Sequence, residues 1–240
     1  MNYYFITGSS KGLGKCLADL LLKEENNIVY GLARTCTIEN KRYQHTIIDL
    51  SKLSEVVEFE FPKINKTDRI VLINNAGAIG HVEHLGKVNN EQLIEGYHVN
   101  LISPSILMNN FMAAYSGLMA EKIVLNISSG GGRNPIDGWG MYCASKAGLD
   151  MLSSVLKEET NIDGQKVKVL SLAPGIIDTA MQVEIRKSKQ TGFSNIDRFM
   201  NYKKDGDLVA APLVAKKVLR FLNEEGLSEN TICSVRNLTN

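Results

Sequence analysis

The chain has 240 residues, 44% of them hydrophobic and 22% charged, and 27 Lys and Arg against 26 Asp and Glu leave a formal net charge of +1. A chain of this size and composition can bury one full α/β core. The near-zero charge gives no general attraction for nucleic acid or an anionic membrane, and the longest apolar runs, Ile70–Ile73 and Val167–Pro174, are far too short to span a bilayer.

In chain order, Asn2–Ile6 reads as a first strand, followed by glycines and a helix from about Leu13 to Glu24. Asn27–Ala33 is the second strand and His45–Ile48 the third, after which Ser51 is a candidate helix cap. The run Ile70–Ile73, apolar on both faces, suits a central parallel strand ending at Asn74-Asn75-Ala76-Gly77. One long helix is expected over Glu91–Ala114, then a strand at Lys122–Ile127, a helix at Tyr142–Glu158 and a strand at Lys166–Leu172 stopped by Ala173-Pro174-Gly175. A helix near Pro212–Glu224 and a strand near Thr231–Val235 complete the chain. Alternating strands and helices imply a parallel sheet covered on both faces. With no linker or repeat, residues 1–240 read as a single domain, and the polar, weakly periodic stretch 180–211 reads as a substrate lid.

Cys16, Cys36, Cys143 and Cys233 lie far apart without a CxxC, as in a reducing compartment, and no metal site is expected. Cys143 points about 100° around the helix from Tyr142 and reads as a packing residue. His81 and His84 have no apparent third ligand and read as surface histidines. The glycine loop begins at Thr7, leaving no room for a leader peptide, and Asn237–Asn240 match no lipid or organelle signal, so the expected location is the cytoplasm.

Two clusters carry chemistry. The first is Thr7-Gly8-Ser9-Ser10-Lys11-Gly12-Leu13-Gly14, between a strand and a helix. Glycines there allow a tight turn and close approach to a pyrophosphate, which the free N–H groups of the helix terminus attract. The second strand ends Leu32-Ala33-Arg34-Thr35, without the acid that would hold a ribose 2′-hydroxyl. Arg34 offers a planar fork to a 2′-phosphate and Lys11 a second cation, so NADP(H) is the expected cofactor. Asp49 and Leu50 follow the third strand and are placed to approach the adenine, although Asp49 is also suited to cap the next helix. The second cluster is Tyr142-x3-Lys146, one helical turn apart, with Ser129 thirteen residues earlier. A neighbouring ammonium favours a phenolate, and a phenol so tuned exchanges protons with a carbonyl or alcohol oxygen.

These motifs, together with His98-Val99-Asn100, Ser128-Ser129 and Pro174-Gly175, resemble the short-chain dehydrogenase/reductase family in order and spacing over nearly the whole chain. The resemblance implies a Rossmann-like doubly wound α/β fold with a seven-stranded parallel sheet. It implies Tyr142 as general acid, Ser129 on the substrate carbonyl, Lys146 on the nicotinamide ribose and Asn100 holding a water of the proton relay. Cofactor contacts would come from Ile6, Gly8, Ser10, Lys11, Gly12, Leu13, Gly14, Arg34, Asp49, Leu50, Asn75, Ala76, Gly77, Tyr142, Lys146, Pro174, Gly175, Ile177 and Thr179.

Within the family, Gly138-Trp139-Gly140-x-Tyr142-Cys143, Ser145–Met151 and Pro174–Gln182 with Ile185-Arg186 resemble the sepiapterin reductase group. Asn134-Pro135 and Asp197-Arg198-Phe199 bring the chain nearer the bacterial benzil reductases. Gly226–Asn240 shows no equivalent of the substrate-anchoring Asp of the animal sepiapterin reductases. The expected activity is NADPH-dependent reduction of a ketone or α-diketone such as benzil to (S)-benzoin. Trp139, Met181 and Phe193 are candidates for an apolar substrate pocket, or equally for packing. Alternatives are a pterin reductase, an alcohol or hydroxysteroid dehydrogenase, a 3-oxoacyl carrier-protein reductase and an idle NADP-binding sensor. The family's habit also implies a homodimer or homotetramer through Glu91–Ala114 and Tyr142–Glu158, where Leu149, Met151, Leu152 and Val155 would serve either an interface or the sheet.

Overall fold

Tyr4, Phe5 and Ile6 are buried on both faces of strand β1 (Asn2–Thr7), as a central strand of a parallel sheet requires. The computed structural model describes residues 1–223 and 230–237. Helix α1 (Gly12–Leu21) follows and turns Leu13, Leu17 and Leu21, spaced four apart, toward the sheet. Strands β2 (Asn27–Ala33) and β3 (Tyr43–Ile47) come next, then the short helix α2 (Leu53–Val57) and strand β4 (Arg69–Asn74). Lys52, not Ser51, occupies the cap position of α2. Ser51 is committed elsewhere: its N–H and hydroxyl both donate to Asp49 Oδ1, at 3.0 and 2.8 Å.

The single helix expected over Glu91–Ala114 is three pieces: α3 (Asn90–Tyr97), a π-helical turn at His98–Ile102 and α4 (Ser103–Tyr115). Pro104 accounts for the break, because it has no N–H to give the Asn100 carbonyl four residues before it. Asn89 starts α3, its side chain accepting from the N–H groups of Glu91 and Gln92 at 2.7 and 3.3 Å. Strand β5 (Glu121–Ile127), a 3₁₀ turn at Gly130–Gly132, helix α5 (Gly140–Ile162) and strand β6 (Val167–Ala173) follow.

The expected lid has its own structure. Strand β7 (Ile177–Asp178) leads to helices α6 (Ala180–Arg186) and α7 (Ile196–Lys204), and β8 (Val209–Ala210) pairs back on β7. That pairing closes the excursion at its base, and Lys203 Nζ meets Asp178 at 2.9 Å. Helix α8 (Ala211–Asn223), strand β9 (Ile232–Ser234) and a 3₁₀ turn at Val235–Asn237 end the described chain, and the predicted helix end at Glu224 lies outside the described residues.

Seven strands form one parallel sheet in the order β3-β2-β1-β4-β5-β6-β9. Helices α1 and α8 cover one face through Leu17, Ala18, Val214 and Val218, while α4 and α5 cover the other through Leu107, Phe111 and Leu149. Each of the Leu, Val and Phe side chains among these contributes about 1.5–3 kcal/mol on burial. Leu149 faces the sheet, whereas Met151, 66% exposed, and Val155 face outward. The strand order reverses between β1 and β4, which opens a crevice at their carboxyl ends. No described helix is long and apolar enough to cross a membrane, and no three His, Cys, Asp or Glu among the described residues are grouped to hold a metal ion.

Candidate active site

The crevice begins with the turn after β1. Gly8 and Gly12 adopt φ of +68° and +57°, a conformation that L side chains rarely adopt. Gly14 packs so closely on the Asn75 side chain and the Gly8 carbonyl that a Cβ has no room there. Asn75 braces the turn from β4: its Nδ2 donates to the Thr7 carbonyl at 2.9 Å, while the N–H groups of Asn75 and Ala76 donate to Thr7 Oγ1 at 2.9 and 3.0 Å. Helix α1 has no side-chain cap and no acid in its first turn, so its N-terminal N–H groups and positive dipole end are free for an anion. These features fit a dinucleotide pyrophosphate. Thr179 faces the turn from the other side, its methyl 3.6 Å from where a Gly12 Cβ would stand. Ile6, Leu13 and Leu50 have core-packed side chains, so a cofactor would meet their backbone.

Arg34 and Lys11 are both exposed at the rim. Sequence reading found no acid beside Arg34, yet Asp49 from the end of β3 lies within its electrostatic reach. Burial raises the Asp49 pKa, but hydrogen bonds from Ser51 and the Arg34 charge outweigh it and hold the carboxyl below its ordinary value. Behind Arg34 runs a chain that sequence reading missed. Tyr43 Oη is 2.9 Å from Ser9 Oγ and 3.1 Å from His45 Nδ1, and His45 Nε2 is 3.1 Å from the Ala33 carbonyl. A carbonyl only accepts, so Nε2 carries a proton; in the neutral ring Nδ1 accepts from Tyr43, which accepts from Ser9. The chain fastens the glycine turn to the end of β2. Thr37 adds a second tie, donating to the Ser10 carbonyl at 2.7 Å.

Ser129, Tyr142, Lys146 and Asn100 meet below the turn. The 3₁₀ turn after β5 presents Ser129, whose Oγ accepts from the Gly131 N–H at 3.1 Å and stands close enough to the Tyr142 phenol to favour its ionised form. Burial pushes the Tyr142 phenol up, and the neighbouring Ser129 hydroxyl only partly offsets it. Lys146, 3% exposed, donates to the Ile127 carbonyl at 2.8 Å and stands 5.9 Å from the Tyr142 ring centre. Burial lowers its pKa to about 8, with Asp150 opposing the shift. The expected depression of the tyrosine by the lysine is therefore not its net state: burial dominates both groups. Asn100 sits in the π turn, accepting from the Ala78 N–H at 2.8 Å and donating to the Ala78 carbonyl at 2.7 Å. A Cβ at Gly77 would stand 3.5 Å from Asn100 Oδ1 and 3.6 Å from Lys146 Nζ, so the two side chains converge there.

The lid covers this centre with aromatic rings. Trp139 meets Tyr142 edge-on at 5.4 Å, stacks on Phe193 at 5.6 Å and touches Phe199 at 5.3 Å. Phe193 has no exposed surface and Trp139 only 6%, so both serve here as packing between lid and α5. Met181 keeps some exposure and lies 4.0 Å from a Gly77 Cβ position. Asp137 latches the lid: it accepts from the Ser194 N–H at 2.7 Å, the Ser194 hydroxyl at 2.9 Å and Asn195 Nδ2 at 3.2 Å. Burial pushes the half-buried Cys143 thiol up, consistent with a packing role.

Residues 2–190 match the family model described as short chain dehydrogenase. The chain is 35% identical to a benzil reductase ((S)-benzoin forming) of Bacillus cereus, over 98% of this chain and 99% of that protein. It is 30% identical to the sepiapterin reductase of Rattus norvegicus, covering 92% and 90% of the two chains. A solved short chain dehydrogenase/reductase from Saccharomyces cerevisiae shares the fold at a TM-score of 0.85 and 22% identity, covering 99% and 97%. On the match across most of its length the chain belongs to the short-chain dehydrogenase/reductase family, oxidoreductases that use nicotinamide cofactors.

Proposed function

We propose that the protein reduces a ketone or α-diketone of the benzil type with NADPH, Tyr142 giving the proton to the carbonyl oxygen. The observation that carries this reading is the convergence of Ser129, Tyr142 and Lys146, with the Lys146 ammonium 5.9 Å from the Tyr142 ring centre, at the foot of a crevice that fits a dinucleotide. NADPH, when bound, supplies the hydride. Ser129 then holds the substrate oxygen within reach of the Tyr142 hydroxyl and stabilises charge growing on it. The raised pKa of Tyr142 keeps the phenol protonated at neutral pH, the form a reductase needs. As the phenolate forms, the Lys146 ammonium 5.9 Å from the ring offsets its charge. Asn100 orders the backbone at Ala78 beside the route by which the proton is replaced. The aromatic lid excludes water from the reacting atoms.

Arg34 and Lys11 support NADPH over NADH, since two exposed cations at the rim suit a 2′-phosphate. The benzil reductase name of the Bacillus cereus relative supports the diketone. Met151 and Val155, exposed on α5, support pairing with a second copy. The test is oxidation of NADPH and of NADH by the purified protein with benzil, with sepiapterin run alongside. Fast NADPH-dependent loss of benzil yielding (S)-benzoin is the expected result. Turnover of sepiapterin alone would move the reading to pterins, and preference for NADH would remove the role of Arg34.

A further inference from the structure

The mechanism leaves a buried carboxylate unused. Asp150 lies on α5 one turn after Lys146 and is 8% exposed. Its two oxygens are taken by different elements. Oδ2 accepts from Arg133 Nε at 3.0 Å, and Arg133 ends the turn that begins with Ser129. Oδ1 accepts from the Ser171 hydroxyl at 2.6 Å, on β6 three residues before Pro174. Arg133 Nη2 closes the triangle on the Ser171 carbonyl at 3.4 Å. Gly132 is pressed against the same turn of α5: a Cβ there would stand 2.7 Å from the Lys146 carbonyl carbon and 2.9 Å from the Ala147 nitrogen. One carboxylate thus joins the three segments that carry Ser129, Lys146 and the Pro174 bend.

We propose that Asp150 is a positioning residue for the reducing centre: held by Arg133 and Ser171, it clamps the Lys146 turn of α5 against the Ser129 turn and sets a carboxylate one helical turn from Lys146. The proposal rests on the reductase reading for its consequence in catalysis, but not for its electrostatics. Around Lys146, α5 contributes Tyr142 and Asp150, the Ser129 turn contributes Arg133 behind Asp150, and Asn100 and Gly77 on the remaining sides are neutral. The Asp150 charge favours the ammonium, opposing burial, which lowers the lysine to about 8. Arg133 partly neutralises that charge. Removing Asp150 and removing Arg133 therefore act on Lys146 in opposite directions, a pattern that a merely structural role does not produce.

The experiment follows the Lys146 signal by NMR of lysine labelled at Cε, assigned with Lys146→Met, in the wild type, Asp150→Asn and Arg133→Met, and pairs it with NADPH affinity and benzil turnover. Asp150→Asn is expected to lower the Lys146 titration midpoint by about one pH unit, a tenfold change in proton affinity. Arg133→Met is expected to raise it. Both variants are expected to lose about tenfold in kcat or more while NADPH Kd stays within about twofold, because the clamp serves geometry at the reacting atoms. Midpoints that stay put in both variants, or activity that falls only with the folded fraction, would overturn the clamp. Should Asp150→Asn fail to fold, an unmoved midpoint in Arg133→Met overturns it equally. The titration needs no substrate, so a wild type inert toward benzil would strike the diketone reading and leave the clamp to its own readout.

Discussion

On the β1–β4 side of the crevice the working surface is backbone, with Gly8 and Gly12 at positive φ and Gly14 pressed on Asn75. On the β5–α5 side it is side chains, with Tyr142 and Lys146 buried, Ser129 half-buried beside them, and Ser129 and Lys146 tied to main chain. The first side offers N–H groups and space, which bind a phosphate whatever is attached to it. The second offers one phenol, one hydroxyl and one ammonium, which matter only at the reacting atom. Binding and reaction are thus divided between the two sides, and substitutions should separate them.

The sharpest break on the binding side is Gly14→Val. Its branched side chain would collide with the Asn75 side chain and the Gly8 carbonyl. NADPH binding measured by fluorescence should be lost along with turnover, while circular dichroism still reports the α/β fold. Arg34→Ala is gentler. Losing one charge-assisted contact of about 1.5–3 kcal/mol should weaken NADPH by about tenfold or more and leave NADH unchanged by calorimetry.

On the reacting side pH makes the cut. Lys146 is depressed to about 8 by burial, so its ammonium is intact below that pH and lost above it. The kcat/KM for reduction should fall as pH rises through about 8, while Lys146→Met should remove the limb together with most of the activity. The same depression affects stability with a definite sign. Between about pH 8 and the ordinary lysine value the unfolded chain binds the extra proton, so denaturant stability should rise with pH across that window.

Tyr43→Phe should show the smallest effect. It unties Ser9 from His45 behind the glycine turn, leaving the buried Ser9 hydroxyl and the half-buried His45 ring without that partner. A cost of about 1–3 kcal/mol would lower the melting temperature by several degrees and weaken NADPH a few-fold, with kcat for saturated enzyme unchanged.

What could be read from sequence follows the same division. Strands β1, β2, β4, β5 and β6 announced themselves as short apolar runs, and glycines and the Tyr142–Lys146 spacing mark the crevice because those features are local in the chain. The break of the long helix at His98–Ile102 was hidden, since apolar residues continue across the π turn and only Pro104 hints at it. Asp49 beside Arg34, and the chain from Ser9 through Tyr43 to His45, join residues from separate strands, so no spacing reveals them. Trp139 and Phe193 were legible as apolar, yet their stacking depends on where the lid folds back. Arg133, Asp150 and Ser171 look like ordinary polar residues until three elements bring them together.

The measurement that tests the division most directly is Tyr142→Phe, with NADPH affinity and benzil turnover taken on the same preparation. Loss of a general acid should cut kcat by about 10²–10⁴-fold, while NADPH Kd stays within about twofold because the cofactor cradle is untouched. Retained turnover would remove Tyr142 from the acid role, and a collapse of NADPH affinity would show that binding and reaction are not separated as the geometry indicates.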